Sequence, residues 1–383
     1  MSKAPRKGPR AKKARTTTVA DLASAMEKIA PTALAQEWDN VGLLAGDFRA
    51  PLTRALLTID LTAAVVDEAQ KLKCELVLAY HPPIFKPIKA LRSPATDMSG
   101  LVFDCIRSGI AIYATHTALD AADGGTNDVL ARLCGAERTE PLVVVDQPEE
   151  TKCKFVVFVP HTHVDAVAES LFTAGAGRIG NYTHCSFRLD GEGTFYGTEA
   201  TNPSIGKRGK LERVNEVRLE SVVPVRSLLD VVEAMRRTHP YEEPAFDVYP
   251  LQSPPLGGLG RTATLPAATE LRRLATTLQR ASGATQVSIV GPANTKISRA
   301  ILVAGAAGSL PFQTDLTPQD VIITGEIRHH DALTIQRRGC SAIALGHWAS
   351  ERPVLEPLAE RLKAALSVGF RVSQADADPF HAL

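Results

Sequence analysis

Strand-length runs rich in Val, Ile and Leu alternate with amphipathic segments of helix length through most of this chain. That alternation restricts the fold more than any other feature. VADLASAMEKIA has apolar residues at helical spacing, RALLTID is a short buried-strand run, and AAVVDEAQKLK returns to helix. ELVLAY then reads as strand, LVFDCIRSG as helix, IAIYAT as strand and NDVLARLCG as helix. Apolar strands separated by helices predict an α/β fold, with a largely parallel sheet covered by helices on both faces.

The texture changes near residue 150. CKFVVFVP reads as strand and HVDAVAESLFTAGAG as helix, followed by two strands around HCSFRL and EGTFYG. EVRLESVVP is strand, VRSLLDVVEAMRRTHP helix and AFDVYPL a last strand. This order is read as βαββαβ, the ferredoxin-like split βαβ unit, with one strand more than its four. Beyond LQSPPLGGLGR, read as Pro/Gly punctuation with GGLGR as a tight turn, the first texture returns in ATELRRLATTLQRA, RAILVAGA, DVIITGE, SAIALGH and RPVLEPLAERLKAAL. The expected organisation is a basic tail over 1–16, one α/β domain over 17–149 and 253–383, and a ferredoxin-like insert over 150–252. Insertion at a surface loop is tolerated because the chain ends there lie close together.

Composition narrows the function classes. Lys plus Arg total 43 and Asp plus Glu 42, so no overall charge imbalance points to nucleic acid or anionic lipid. No window approaches the roughly 18 uninterrupted apolar residues of a membrane span. The tail, beginning MSKAPRKGPRAKKAR, carries seven Lys or Arg and no acid. It is read as a solvated segment, with an RNA or phosphate anchor as the alternative. No apolar stretch follows it as an export signal requires. The six cysteines include no CxxC pair, and reduced thiols in a cytoplasmic protein are expected.

The chemistry concentrates at strand ends. ELVLAY runs into His81, and IAIYAT into His116 with Asp120 four residues on. DVIITG runs into Glu326 with His329 and His330 behind it, and SAIALG into His347 with Glu351 four residues on. In open α/β sheets ligands bind at the carboxyl ends of strands. Imidazole with carboxylate suits Zn, Mn or Fe, and five or more candidate donors allow two ions about 3.5–4 Å apart. Asp120 or Glu351 is the candidate bridge. Pro353 fits only the first turn of a helix. His347 is therefore expected to end its strand, with Glu351 where the next helix begins. For GEIRHH the alternatives stay open: Glu326 paired with Arg328 or Arg337, direct ligation, or a supporting or acid–base role. Within the insert, RTHPYEEP reads as a helix-terminating turn. The absence of GxSxG, GxxxxGK[ST] and HExxH argues against serine-hydrolase, P-loop and zincin chemistry.

EWDNVGLLAGD, AYHPPIF, THTALDAADGGTND, VIITGEIRHHDAL and ALGHWASE, in this order, resemble the blocks of the NIF-three-like family of dinuclear metal-centre proteins, often labelled homologues of a second type of GTP cyclohydrolase. THPYEEPAFDVYPL resembles the end of the insert in its longer members. The resemblance implies metal ligation by His81, Asp120, His347 and Glu351, with Tyr80 standing where many relatives have a second histidine. It implies two divalent ions (Zn, Fe or Mn), a ring-shaped homo-hexamer, and an insert similar to trimer-forming regulatory and copper-tolerance proteins. His116 is assigned to the same pocket, as a ligand or a partner of one, and Glu326 and His116 are the candidate catalytic groups. The implied function is hydrolysis of a small molecule, a nucleotide or cyclic amide. The alternative is a regulatory protein in which metal and insert support assembly and effector recognition.

Overall fold

The computed structural model describes residues 16–145, 152–251 and 257–381. The basic tail, apart from Thr16, lies outside the described residues. The chain divides into two compact units, Met1–Asp146 with Pro255–Leu383, and Gln147–Pro254.

The first unit holds two sheets where the sequence predicts one. The five-stranded sheet runs Gly42–Ala45, Ala111–Ala114, Leu76–Ala79, Arg54–Thr58, Gly369–Val372, and all but the first pair in parallel. The six-stranded sheet runs Ser288–Val290, Ser341–Ala344, Asp320–Glu326, Lys296–Ala306, Gly257–Glu270, Glu140–Val145, and only its Ser341, Asp320 and Lys296 strands are parallel. The edge strands escape sequence reading because they are short, as in Gly42–Ala45, four residues long and half-buried throughout.

The Gly257–Arg261 segment is a correction. It is not a turn but the start of a strand paired with Glu140–Val145 and Lys296–Ala306. Its glycines serve close backbone approach: a Cβ on Gly257 would lie 2.1 Å from the Ala121 carbonyl oxygen, and one on Gly258 2.4 Å from that of Val143. The strand carries Arg261, 1 % exposed. Its Nε and Nη2 donate to the two Asp128 oxygens at 2.8 and 3.0 Å, and Nη1 donates to the Gly258 and Gly260 carbonyls. Breaking a buried pair on one side strands the other charge, so Arg261→Met is expected to destabilise by about 3–5 kcal/mol. Urea denaturation checks this, and an unchanged midpoint would contradict it.

The second unit is a four-stranded antiparallel sheet, ordered Ser186–Tyr196, Leu211–Pro224, Lys152–Pro160, Phe246–Pro250. Helices Val164–Thr173 and Leu228–Thr238 pack on one face, burying Phe155, Val157, Leu171, Leu219 and Met235. The segments around HCSFRL and EGTFYG form one strand, because Gly191 and Gly193 stay paired with Glu216 and Val214 instead of breaking the ladder.

Candidate metal centre

Both sheets of the first unit deliver polar side chains from their carboxyl edges into one site. His81 follows the fully buried strand Leu76–Ala79 and His116 follows Ala111–Ala114, next to it in parallel. Glu326 ends Asp320–Glu326, and His347 stands three residues beyond Ser341–Ala344, again a parallel neighbour. Parallel pairing places His81 and His116 at one level, and Glu326 and His347 one residue apart in register.

His347 and Glu351 are carried by a single short helix, His347–Glu351, against the expectation that Pro353 would separate them. The helix ends at Glu351, and Pro353 lies in the 3-10 turn Arg352–Val354 that follows, where no helical hydrogen bond is lost. One turn therefore presents both side chains on one face.

Glu351 is the hub. It is 3 % exposed. Its Oε1 lies 3.2 Å from His347 Nε2, and its Oε2 3.3 Å from His81 Nε2. These three residues place ligand atoms within 4.8 Å of one another. Oε2 nonetheless has no well-formed hydrogen bond, and a buried oxygen left this way is costly unless a cation or proton donor satisfies it. The donor set of two imidazole nitrogens and a carboxylate suits a transition-metal ion.

The far side of each ring is also fixed. His81 Nδ1 lies 2.9 Å from Asp60 Oδ1, His347 Nδ1 2.9 Å from Glu326 Oε1, and His116 Nδ1 2.8 Å from Asp39 Oδ1. A carboxylate can only accept, so Nδ1 carries a proton in all three rings, and Nε2 of His81 and His347, turned toward Glu351, is the atom available to a metal once its own proton leaves. Carboxylate-backed histidines are a signature of metal sites, where the outer carboxylate sets tautomer and orientation. Asp39 also accepts from the Thr117 hydroxyl and, at 3.1 Å, its backbone N–H. His116 has φ of +28°, a strained value for a residue with a Cβ, at the turn where its strand passes into the helix His116–Ala121.

Carboxylate neighbours dominate the electrostatics. Burial opposes charge on His81, but its contacts with the Asp60 and Glu351 carboxylates hold its pKa at about 10. The Glu351 contact is the leading cause of raising His347 to about 9. Burial pushes against the Glu351 carboxylate, yet the two imidazoles keep it below its ordinary range. Burial, with the Glu351 charge adding and the Tyr80 hydroxyl opposing, lifts Asp120 to about 6.

Of the sequence-derived ligands, His81, His347 and Glu351 come together, while Asp120 is engaged by the Tyr80 hydroxyl. Tyr80 is fully buried, its ring 5.1 Å from His81 and 5.8 Å from His116, and burial beside Asp120 and Glu351 holds its phenol well above the ordinary range. His116 lies 5.4 Å from His81, ring to ring, outside the three-residue group. His329 and His330 are exposed at the start of helix His329–Arg337. Arg328 pairs with Asp331 instead of Glu326.

Sequence reasoning missed Asp60, Asp39 and Gly305. Asp60 follows the strand Arg54–Thr58, so the strand-end rule that found the histidines would have found it. Asp39 sits in a loop with no such signal. Gly305 has φ of +64°, and a Cβ there would lie 2.3 Å from Glu351 Oε1 and 3.2 Å from His347 Nε2. Gly305→Ala is expected to displace that carboxylate and weaken metal binding by at least about tenfold, by analogy with loss of an orienting partner. Titration with Zn²⁺ or Mn²⁺ checks this, and unchanged affinity would contradict it.

A model of the Duf34/NIF3 (NGG1p interacting factor 3) family matches residues 17–379. A Halalkalibacterium halodurans protein named GTP cyclohydrolase 1 type 2 homolog is 39% identical over 322 residues, 84% of this chain and 86% of that one. A Mycobacterium tuberculosis protein of the same name is 36% identical over 369 residues, 95% and 96% of the two chains. Among solved structures, a Bacillus cereus protein related to NIF3 superposes with TM-score 0.70 at 33% identity, covering 97% of this chain and 100% of that one. A Staphylococcus aureus protein gives TM-score 0.77 at 26% identity, with 96% and 99% covered.

Proposed function

The chain belongs to the Duf34/NIF3 family, and from that premise we propose that it is a divalent-metal hydrolase acting on a nucleotide or cyclic amide. The observation that carries this reading is the buried Glu351 carboxylate between the Nε2 atoms of His81 and His347. His81, His347 and Glu351 would hold one ion. Asp120, buried beside Glu351 with its pKa raised by that burial and by the Glu351 charge, would help hold a second, with Glu351 shared. Metal held there supplies Lewis acidity toward water and a substrate carbonyl or phosphoryl oxygen.

The protein's own groups do the rest. Asp60 and Glu326 fix the His81 and His347 rings through Nδ1. Glu326 is thereby a positioning residue. His116, with Nδ1 tied to Asp39, keeps Nε2 as an acceptor that can take a proton and return it. The names of the relatives make GTP the first substrate to test, although family membership does not fix chemistry. A ring-shaped homo-hexamer, a ferredoxin-like character for the second unit and a cytoplasmic setting belong to the same proposal. No helix among the described residues is long and apolar enough to cross a membrane.

Two variants separate these roles. Glu326→Gln is expected to weaken metal binding by about 10–100-fold, the usual cost of losing an orienting carboxylate. His116→Ala is expected to keep metal while turnover of GTP or a cyclic amide falls by about 10²–10⁴. Metal titration and steady-state kinetics on the full chain check both. Wild-type turnover in metal-replete His116→Ala, or no hydrolysis by the metal-replete native protein across nucleotides and cyclic amides, would sink the hydrolase reading.

A further inference from the structure

The second unit contains a cavity of ≈ 580 Å³ on the sheet face opposite its two helices. That volume falls within the range of small-molecule sites. Phe195 and Tyr241 supply aromatic walls, Phe158 lines the cavity with its ring already covered by Arg218 at 5.8 Å, and Glu216 lies at the floor. Glu216 is 8 % exposed, and no cation pairs with it among the described residues. A Cβ on Gly193 would lie 2.1 Å from Glu216 Oε2, so the glycine is what lets the carboxylate lie flat across the neighbouring strand. The Tyr241 hydroxyl is buried without a well-formed hydrogen bond, within reach of that carboxylate.

The THPYEE turn is built to hold Tyr241 in place. His239, 7 % exposed, accepts the Tyr241 backbone N–H through Nδ1 at 3.1 Å and donates from Nε2 to the Phe158 carbonyl at 2.9 Å. Both ring nitrogens are thus spent on structure, and the tautomer is fixed. At the rim, Glu192 is paired with Arg213, and Glu242 accepts the Asn202 backbone N–H, while Glu243 has no such partner among the described residues. Arg218, the cavity's cation, is taken up by Glu220 at 2.7 Å.

A buried carboxylate with no counter-ion among the described residues, a tyrosine hydroxyl within reach of it and the uncovered faces of Phe195 and Tyr241 call for a positive group with an apolar body. We propose that this cavity binds a small organic cation, an amine or amidinium-type group carried on an apolar or planar frame. The excess of carboxylates turns away phosphorylated ligands. A divalent ion fits less well, because among the described residues only His81, His347 and Glu351 gather three ligand atoms to a point.

Calorimetric titration of the full, metal-loaded chain with benzamidine and agmatine tests this, with benzoate, benzyl alcohol and GMP as controls. Both cations should bind and the controls should not. Glu216→Gln should weaken cation binding by at least about tenfold, as expected for losing a charged hydrogen-bond partner, and Tyr241→Phe by several-fold. Thermal melting and metal content, unchanged in both variants, separate loss of the site from loss of the fold. No cation binding to the native chain at millimolar concentration would overturn the proposal. So would benzoate or GMP binding equally well, or Glu216→Gln binding as the native chain does. Failure to bind cations combined with a change of oligomeric state in Glu216→Gln would assign the cavity to a second copy of the chain instead.

Discussion

Glu351→Gln should strip the centre of metal while leaving a folded protein. Glutamine keeps the volume at a position 3 % exposed, so packing with the surrounding helix is retained. What disappears is the one charge facing both Nε2 atoms, at 3.2 and 3.3 Å. An amide presents one oxygen and one NH₂, so it can face one imidazole acceptor correctly but cannot serve as a negatively charged ligand between two. Removing an outer carboxylate costs about 10–100-fold in affinity, and losing the shared inner one should exceed that range. The metal-free fold survives because His81 and His347 can shed the protons that Glu351 stabilised. Calorimetric titration with Zn²⁺ or Mn²⁺, read beside circular dichroism, checks the result. Affinity within threefold of the native protein would remove Glu351 from the centre.

The second large effect is a reversal of pH dependence when metal is bound. In the metal-free protein His81 has its pKa raised from an ordinary 6.5 to about 10, and His347 to about 9. A group whose folded-state pKa is raised contributes stability that is complete below its unfolded value and is lost as pH climbs through the folded one. The metal-free melting temperature should therefore decline between about pH 6.5 and 10 on account of this cluster. Glu351, with its pKa lowered, reports the same contacts from the acid side: its contribution holds above 4.5 and is lost as pH falls through the lower folded value. Metal binding must expel the imidazole protons, so affinity should rise by up to about two powers of ten per pH unit below pH 9, one for each proton displaced. Melting curves and metal titrations from pH 6 to 10 test both halves. A metal affinity that is flat with pH would contradict the ligand assignment.

How much of this was legible beforehand depends on the length of the signal. The buried strands Leu76–Ala79 and Ala111–Ala114 stand out because every residue is apolar, and the histidines at their ends follow at once. The edge strand Ser288–Val290 is three residues long and half-exposed, too short to carry a period. The Gly257–Arg261 strand reads as a turn because its glycines serve close contacts with Ala121 and Val143, over a hundred residues away in sequence. Likewise Glu351 and His347 read apart in the sequence because Pro353 is incompatible with the interior of one long helix. The chain instead divides the segment into a turn of α-helix, a 3-10 turn and a second helix. The pairing of Asp39 with His116 spans 77 residues and leaves no local mark at all.

Elemental analysis of the full chain tests the metal centre most directly. Protein purified without added metal or chelator, then incubated with Zn²⁺, Mn²⁺ or Fe²⁺ and desalted, should carry about two divalent ions per chain, with fewer in His81→Ala. Fewer than about 0.2 ions per native chain, below any plausible occupancy for a site with three protein ligands, would contradict it.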